Sequence, residues 1–191
     1  EGRPTSKILV NREVVRVITQ GTLTEDTLLD ARENNYISAL TEIGGQYGLA
    51  WLEFSTGDFK VQAIHKDGVL AAIERIQAKE VLTSDKLADM FDDRSILTLQ
   101  PNSLFDSENA RGRLEKIFGV GTLEAFGGFS RAEIAAAGAL LDYIERTQVG
   151  KIPHISKPQQ ISTDAALEID AATRKNLELT RTMSGDRKGS L

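Results

Sequence analysis

The sequence predicts an α/β fold in which a mixed β-sheet is flanked by helices on both faces. Three strands joined by tight turns are predicted over residues 33–64, because apolar side chains cover both faces of 47–54 but only one face of 59–63. Gly45 and Gly57 lie where the turns need residues that accept positive φ angles. Helical and strand-like segments alternate after this meander, so helix–strand units should extend the sheet.

The first helix after the meander is predicted from residues at helical spacing, with Asp67 as its N-cap. Its predicted inner face consists of Val69, Leu70, Ile73 and Ile76. Short strands are then expected near 80–83 and 96–99, and Ser84 begins a second helix between them.

A third helix is predicted to run to Phe118, with Asp106 or Ser107 as its N-cap and Gly119 just beyond its end. Its outer side carries the nearest approach to a basic patch in this chain: Arg111, Arg113 and Lys116. By pattern alone these side chains form either a solvated helix face or a partner-binding surface.

The clearest helix is predicted over residues 130–147. Ser130-x-x-Glu133 forms a capping box, in which each residue satisfies a main-chain N–H group of the other. Apolar residues keep the helical period throughout, and many of them are alanines, which let another element approach closely. We therefore expect this helix to be the most buried one.

Composition excludes several classes of protein. The chain has 191 residues, of which 40% are hydrophobic, a formal net charge of −5 and no cysteine. The hydrophobic residues are numerous enough to form a core. The negative net charge argues against a global basic field for nucleic acid, and the absence of cysteine excludes a disulfide framework and thiolate metal sites. No apolar run approaches the roughly 20 residues that span a bilayer. These features predict a soluble, cytoplasmic protein.

No catalytic motif emerges from the residue pattern. The segment 185–190 has a lysine before a glycine and no preceding strand, so it fails the geometry of a phosphate-binding loop. His65 and His154 each lack neighbours at metal-ligand spacing. We predict no catalytic, cofactor-binding or metal-binding residue.

One enzymatic alternative stays open, because a meander followed by helices is also typical of ribonuclease H-like nucleases. Such a metal-dependent enzyme needs acids clustered on adjacent strands to hold two divalent ions. The first strand carries no acid at its centre, while Glu53 and Asp58 lie close to a turn. A third carboxylate close to these two would favour the nuclease.

Three blocks of sequence resemble a known family. Residues 12–40, 54–59 and 168–180, which read REVVRVITQGTLTEDTLLDARENNYISAL, FSTGDF and EIDAATRKNLELT, are similar in order to the bacterial DNA mismatch repair MutS family. The resemblance covers nearly the whole chain. Gln20 departs from it, because the family commonly has proline before the Gly-Thr pair.

The resemblance implies a division of the chain into parts. Residues 1–29 correspond to the end of the mismatch-binding domain and a linker, and 30–148 to the connector domain, which has a ribonuclease H-like fold without nuclease activity. Residues 149–163 correspond to a linker with Gly150, Pro153 and Pro158 as hinge residues, and 164–191 to the start of the core, or lever, domain.

The resemblance also implies a function. The connector is a non-catalytic module that couples mismatch recognition to the ATPase and core, and it offers a docking surface for the partner protein MutL. On this chain the docking residues would be Arg111, Arg113 and Lys116. ATP and Mg²⁺ are expected only in another domain of the full-length parent, mismatched duplex DNA binds through other domains, and the parent is expected to form a homodimer.

Overall fold

The computed structural model describes residues 35–148 and 154–162. The predicted parts 1–29 and 164–191, together with Gly150 and Pro153, lie outside the described residues. In chain order the elements are β1 (Tyr36–Ile43), β2 (Gln46–Glu53), β3 (Phe59–Ile64), α1 (Val69–Ile76), β4 (Glu80–Thr83), α2 (Asp85–Ala88), β5 (Leu97–Leu99), α3 (Ser107–Phe118), α4 (Arg131–Thr147) and β6 (Gln159–Gln160).

The described strands form one mixed sheet in the order β5-β4-β1-β2-β3-β6. Strands β1, β2 and β3 are antiparallel neighbours, whereas β4 pairs in parallel with β1, β5 with β4, and β6 with β3. Gly44 and Gly45 turn the chain between β1 and β2 with φ angles of 62° and 82°. This topology confirms the predicted α/β fold with a mixed sheet that begins as a meander.

Helices cover both faces of the sheet, and each face has its own core. Ala50 and Leu52 of β2 pack beneath α3 and α4, whereas Leu49 and Trp51 of the same strand pack beneath α1 and α2. All four side chains are buried. The two-sided apolar pattern of β2 therefore reflects a central strand that is covered on both sides, as the sequence predicts.

Helix α4 is the most buried helix in the described part of the chain, as predicted. Every residue from Ala132 to Leu141 is buried. The capping box forms in full: the amide of Glu133 donates to Ser130 Oγ over 3.2 Å, and the amide of Ser130 donates to Glu133 Oε2 over 2.7 Å. A side chain on Gly138 would meet Ala110, because an ideal Cβ there lies 2.3 Å from the Ala110 Cβ. Helices α3 and α4 thus touch almost backbone to backbone.

The sequence prediction is wrong on two details of helix α1, its N-cap and one residue of its inner face. Asp67 does not cap it, because Asp67 lies in a 3-10 turn, and Gly68 occupies the N-cap position. Leu70 is 47% exposed, and Ala72 takes its place in the inner face. The buried positions 69, 72, 73 and 76 follow the i, i+3, i+4, i+7 stripe that a short helix presents to a sheet.

The next two helices occur in the predicted order, and the predicted bounds fit α3 better than α2. Helix α2 ends at Ala88, so Phe91 is buried from the loop that follows the helix. Helix α3 has Asp106 as its N-cap, whose side chain accepts from the amide of Asn109 over 2.8 Å, and it ends at Gly119 with a φ angle of 63°. Asp106, rather than Ser107, is therefore the cap.

The predicted linker contains a strand. Residues 154–162, which we call the return segment, lie along the edge of the sheet, where Gln159 pairs with Lys60 and Gln160 with Val61. Pro158 is buried there. Two glutamines carry no strand signal of their own, so the pairing arises from the exposed edge of β3 rather than from local propensity.

Within the described residues, no helix is both long and apolar enough to cross a membrane.

Candidate functional site

The two carboxylates weighed as metal ligands serve local structure. Glu53 accepts hydrogen bonds from the amides of Asn35 and Thr56, at 3.2 Å to Oε1 and 2.5 Å to Oε2. Asp58 Oδ2 forms an ion pair with Lys60 Nζ at 2.5 Å. No group of three or more acidic, histidine or cysteine side chains in residues 35–148 and 154–162 is arranged to hold a metal ion. The nuclease alternative therefore gains no support from the described residues.

The charge of Glu53 is stabilised by the turn between β2 and β3. Burial alone would raise the pKa of Glu53, but hydrogen bonds from Thr56, Asn35 and Ser55 outweigh it and hold that pKa below its ordinary value. A carboxyl group whose pKa is lower in the folded state stabilises the fold above its unfolded pKa, and this contribution is lost as the pH falls through the folded pKa.

Glu53→Gln is expected to lower the free energy of unfolding by about 1–2 kcal/mol at pH 7, because one charged acceptor is lost. The difference from the wild type should shrink as the pH falls through the lowered pKa of Glu53, where the wild-type carboxylate also becomes neutral. Urea denaturation at pH 7 and over a series of acidic pH values measures this difference. Glu74→Gln, at an exposed acid on α1, is the control and should change stability little. A Glu53→Gln difference that persists unchanged at low pH would contradict this account.

Another buried acid, Glu80, joins three elements of the fold. Its Oε1 accepts hydrogen bonds from Thr98 Oγ1 on β5 and from the hydroxyl of Tyr143 on α4, both at 2.7 Å. Sequence reasoning did not single out Glu80, because neither partner is near it in the chain. This carboxylate therefore links α4 and β5 to β4 by hydrogen bonds.

The return segment docks on the turn that carries the FSTGDF block. The amide of Ser156 donates to the carbonyl oxygen of Gly57 over 2.9 Å. Gly57 has a φ angle of +77°, and an ideal Cβ on it would lie 1.9 Å from the carbonyl oxygen of His154. Both the turn and the close approach therefore require glycine at this position. His154 contributes its main chain here, and His65 lies exposed before a 3-10 turn.

A second set of contacts joins the return segment to α4. The Gln160 side-chain amide donates to both carboxylate oxygens of Glu133, at 3.0 Å and 3.2 Å. Only 1% of Glu133 is exposed, so Gln160 and the amide of Ser130 are partners that this buried carboxylate needs. Lys157 Nζ lies 5.4 Å from the centre of the Phe126 ring.

A groove of about 760 Å³ separates the return segment from the end of α3. Its apolar lining is formed by Ile117, Phe118, Phe126, Ile155 and Pro158. Phe118 stacks on Phe59 of β3 and meets Phe126 edge to face, with ring centres 6.4 Å and 5.9 Å apart. The groove is thus floored by aromatic rings that belong to the sheet core.

The structure separates the three basic residues on α3 into two roles. Arg113 binds α4, with Nη2 2.5 Å from Asp142 Oδ1 and Nε 3.7 Å from Glu145 Oε2. Lys116 is exposed and Arg111 is half-buried. Because Arg113 is engaged with α4, Arg111 and Lys116 are the remaining members of the predicted partner-binding set, and we call these two residues the α3 rim.

The geometry defines a small α/β domain in which the buried acids Glu53 and Glu133 are engaged in a turn and a helix cap. The family model described as MutS domain II matches residues 35–156. This match covers more than half of the chain, and the chain therefore belongs to the MutS domain II family.

This chain is similar to proteins named DNA mismatch repair protein MutS from several bacteria. This chain is 46% identical over 188 residues to the protein of Cereibacter sphaeroides, 46% over 192 residues to that of Ruegeria pomeroyi, and 45% over 197 residues to that of Rhizobium meliloti. Each alignment covers 97% of this chain and 22% of the relative. The chain thus spans about a fifth of the length of these relatives, and the resemblance predicted from the three sequence blocks is confirmed.

Proposed function

We propose that this chain is the connector module of a DNA mismatch repair protein, where it couples mismatch recognition to the ATPase and core. The match of residues 35–156 to MutS domain II carries this proposal. Mismatched duplex DNA, ATP and Mg²⁺ would bind to other parts of the full-length protein, which we propose to act as a homodimer. The module itself would be non-catalytic.

We further propose that the α3 rim is part of a docking surface for MutL. A rigid helix loses little conformational freedom on binding, which favours it over a loop as a docking element. Helix α3 is held by the buried Ala110 and Leu114 and by the ion pair of Arg113 with Asp142, so Arg111 and Lys116 are presented from a fixed backbone. Charges of this kind mainly govern the rate and specificity of encounter.

Arg111→Glu combined with Lys116→Glu, introduced into the full-length protein, is expected to weaken MutL recruitment about tenfold, since each rim contact contributes about 0.5–1 kcal/mol. Surface plasmon resonance with MutL on mismatched DNA measures recruitment. Mismatch binding and ATP hydrolysis should stay near the wild type. Arg113 is left intact, because its reversal would break the contact between α3 and α4.

The matched control is Lys66→Glu with Lys86→Glu, which makes the same change in net charge at exposed positions beside the opposite face of the sheet. It should leave MutL recruitment unchanged. Equal recruitment by the α3 rim variant and the wild type at physiological salt would place the docking surface elsewhere. Loss of mismatch binding and ATP hydrolysis together with recruitment would mean that the rim is structural.

Gly150, Pro153 and Pro158 remain our proposed hinge between the connector and the core. Glycine and proline are both unfavourable in the interior of a helix, which supports a hinge at these positions. Pro158 is buried on the sheet edge. A hinge movement that includes Pro158 therefore requires the return segment to leave β3.

A further inference from the structure

The return segment is attached to the sheet by few contacts. Strand β6 contains two residues, and both glutamines are exposed. Besides this pairing, the amides of Ser156 and Ile161 donate to the carbonyl oxygens of Gly57 and Val61, at 2.9 Å and 2.8 Å. Its apolar anchoring is limited to the buried Pro158 and to Ile155 and Ile161, which pack partly against the two cores. A short edge segment held in this way opens locally at a lower free energy than a core strand does.

The side-chain contact between Gln160 and Glu133 is of a different kind. It joins an exposed residue of β6 to a buried carboxylate at the start of α4, which itself forms the capping box with Ser130. Gly127 makes room for this contact, with a φ angle of 142° and an ideal Cβ position 3.1 Å from Gln160 Oε1. The end of the return segment is thus tied to the most buried helix of the domain.

We propose that residues 154–162 form a releasable strap and that the Gln160–Glu133 hydrogen bonds are its latch. In the closed state the strap covers the edge of β3 and the Glu133 carboxylate. In the open state Glu133 keeps the amide of Ser130 as its partner and gains water, so α4 stays capped while the strap leaves. The domain can therefore release this segment without unfolding.

The strap deepens the coupling part of the proposed function, because movement of the chain beyond the connector would reach α4 through the latch. It rests on contacts within this chain and not on MutL docking. Hydrogen exchange in the isolated chain tests the strap, whereas recruitment assays with the full-length protein test the docking proposal. The two proposals can therefore fail independently.

Gln160→Ala in the 191-residue chain is expected to speed amide exchange of the strap, including Ser156 and Ile161, by about ten- to a hundredfold, because a hydrogen bond to a charged group is lost. Hydrogen exchange followed by mass spectrometry measures this. Exchange in β1, β2 and the second half of α4 should be unchanged.

Gln159→Ala is the matched control, since Gln159 is the exposed neighbour on the same strand. It should leave strap exchange within about threefold of the wild type, as expected for a surface substitution with little effect on stability. Equal acceleration by both variants would show that Gln160 is no latch. Wild-type strap amides that exchange as slowly as those of β1 and β2 would show that the segment opens only with global unfolding, and there would be no strap.

Discussion

Replacing Gly48 with alanine is expected to destabilise the domain by about 3 kcal/mol or more, at the upper end of the range for overpacked cores. Gly48 lies in β2 beneath the start of α4. An ideal Cβ on Gly48 would lie 2.2 Å from the carbonyl carbon of Ala132 and 2.5 Å from the amide nitrogen of Glu133. These are main-chain atoms, so no rotamer change relieves the clash and α4 must move away from the sheet.

Urea denaturation of the Gly48→Ala variant measures this loss. Gly112→Ala is the control: Gly112 is an exposed residue inside α3 with no atom within 4 Å of an ideal Cβ. Alanine there should raise stability by about 0.5–1 kcal/mol, because glycine weakens a helix interior. A Gly48→Ala variant as stable as the wild type would mean that α4 does not contact β2 at this distance.

Gly57→Ala should release the return segment and cost about 2–4 kcal/mol of stability. The φ angle of +77° alone costs a non-glycine residue about 1–2 kcal/mol. The added Cβ would also lie 1.9 Å from the carbonyl oxygen of His154. Residues 154–162 can relieve that contact by leaving the turn, so we expect their amide protection to fall while that of β1 and β2 persists.

Gly45→Ala is the control that separates the effect of backbone strain from the effect of the contact with His154. Gly45 also has a positive φ angle, 82°, but no atom lies within 4 Å of an ideal Cβ. It should lose about 1–2 kcal/mol to strain and keep the protection of the return segment. If Gly45→Ala and Gly57→Ala have the same effect on residues 154–162, the contact with His154 contributes nothing to docking.

Local patterns in the sequence determined most of the framework. The meander, the capping box of Ser130 with Glu133, the Asp106 cap and the Gly119 end depend on residues within a few positions of one another. Interactions over such short distances are visible in one sequence because spacing alone specifies their geometry. Helix α1 shows where local patterns fail. Which apolar residues of a short helix face the core depends on where the helix starts, and a 3-10 turn before α1 shifted that start.

The candidate site depended more on contacts between distant parts of the chain. Arg113 looked equivalent to Arg111 and Lys116, because all three lie on the outer side of α3. Its ion pair with Asp142 depends on how α3 crosses α4, and that crossing is set by the packing of Gly138 on Ala110. The residue pattern of α3 alone therefore cannot predict that Arg113 pairs with Asp142.

The sequence by itself determined the fold class, the meander, the caps of α3 and α4 and the MutS family, since each is carried by local spacing or by ordered blocks of residues. Only the tertiary structure decided that the predicted linker adds β6 to the sheet and that Gln160 reaches the buried carboxylate of Glu133. The physical reason is that an edge strand and a buried acid accept whichever donors the folded chain brings to them. Packing across the sheet makes that choice, and local propensity does not specify it.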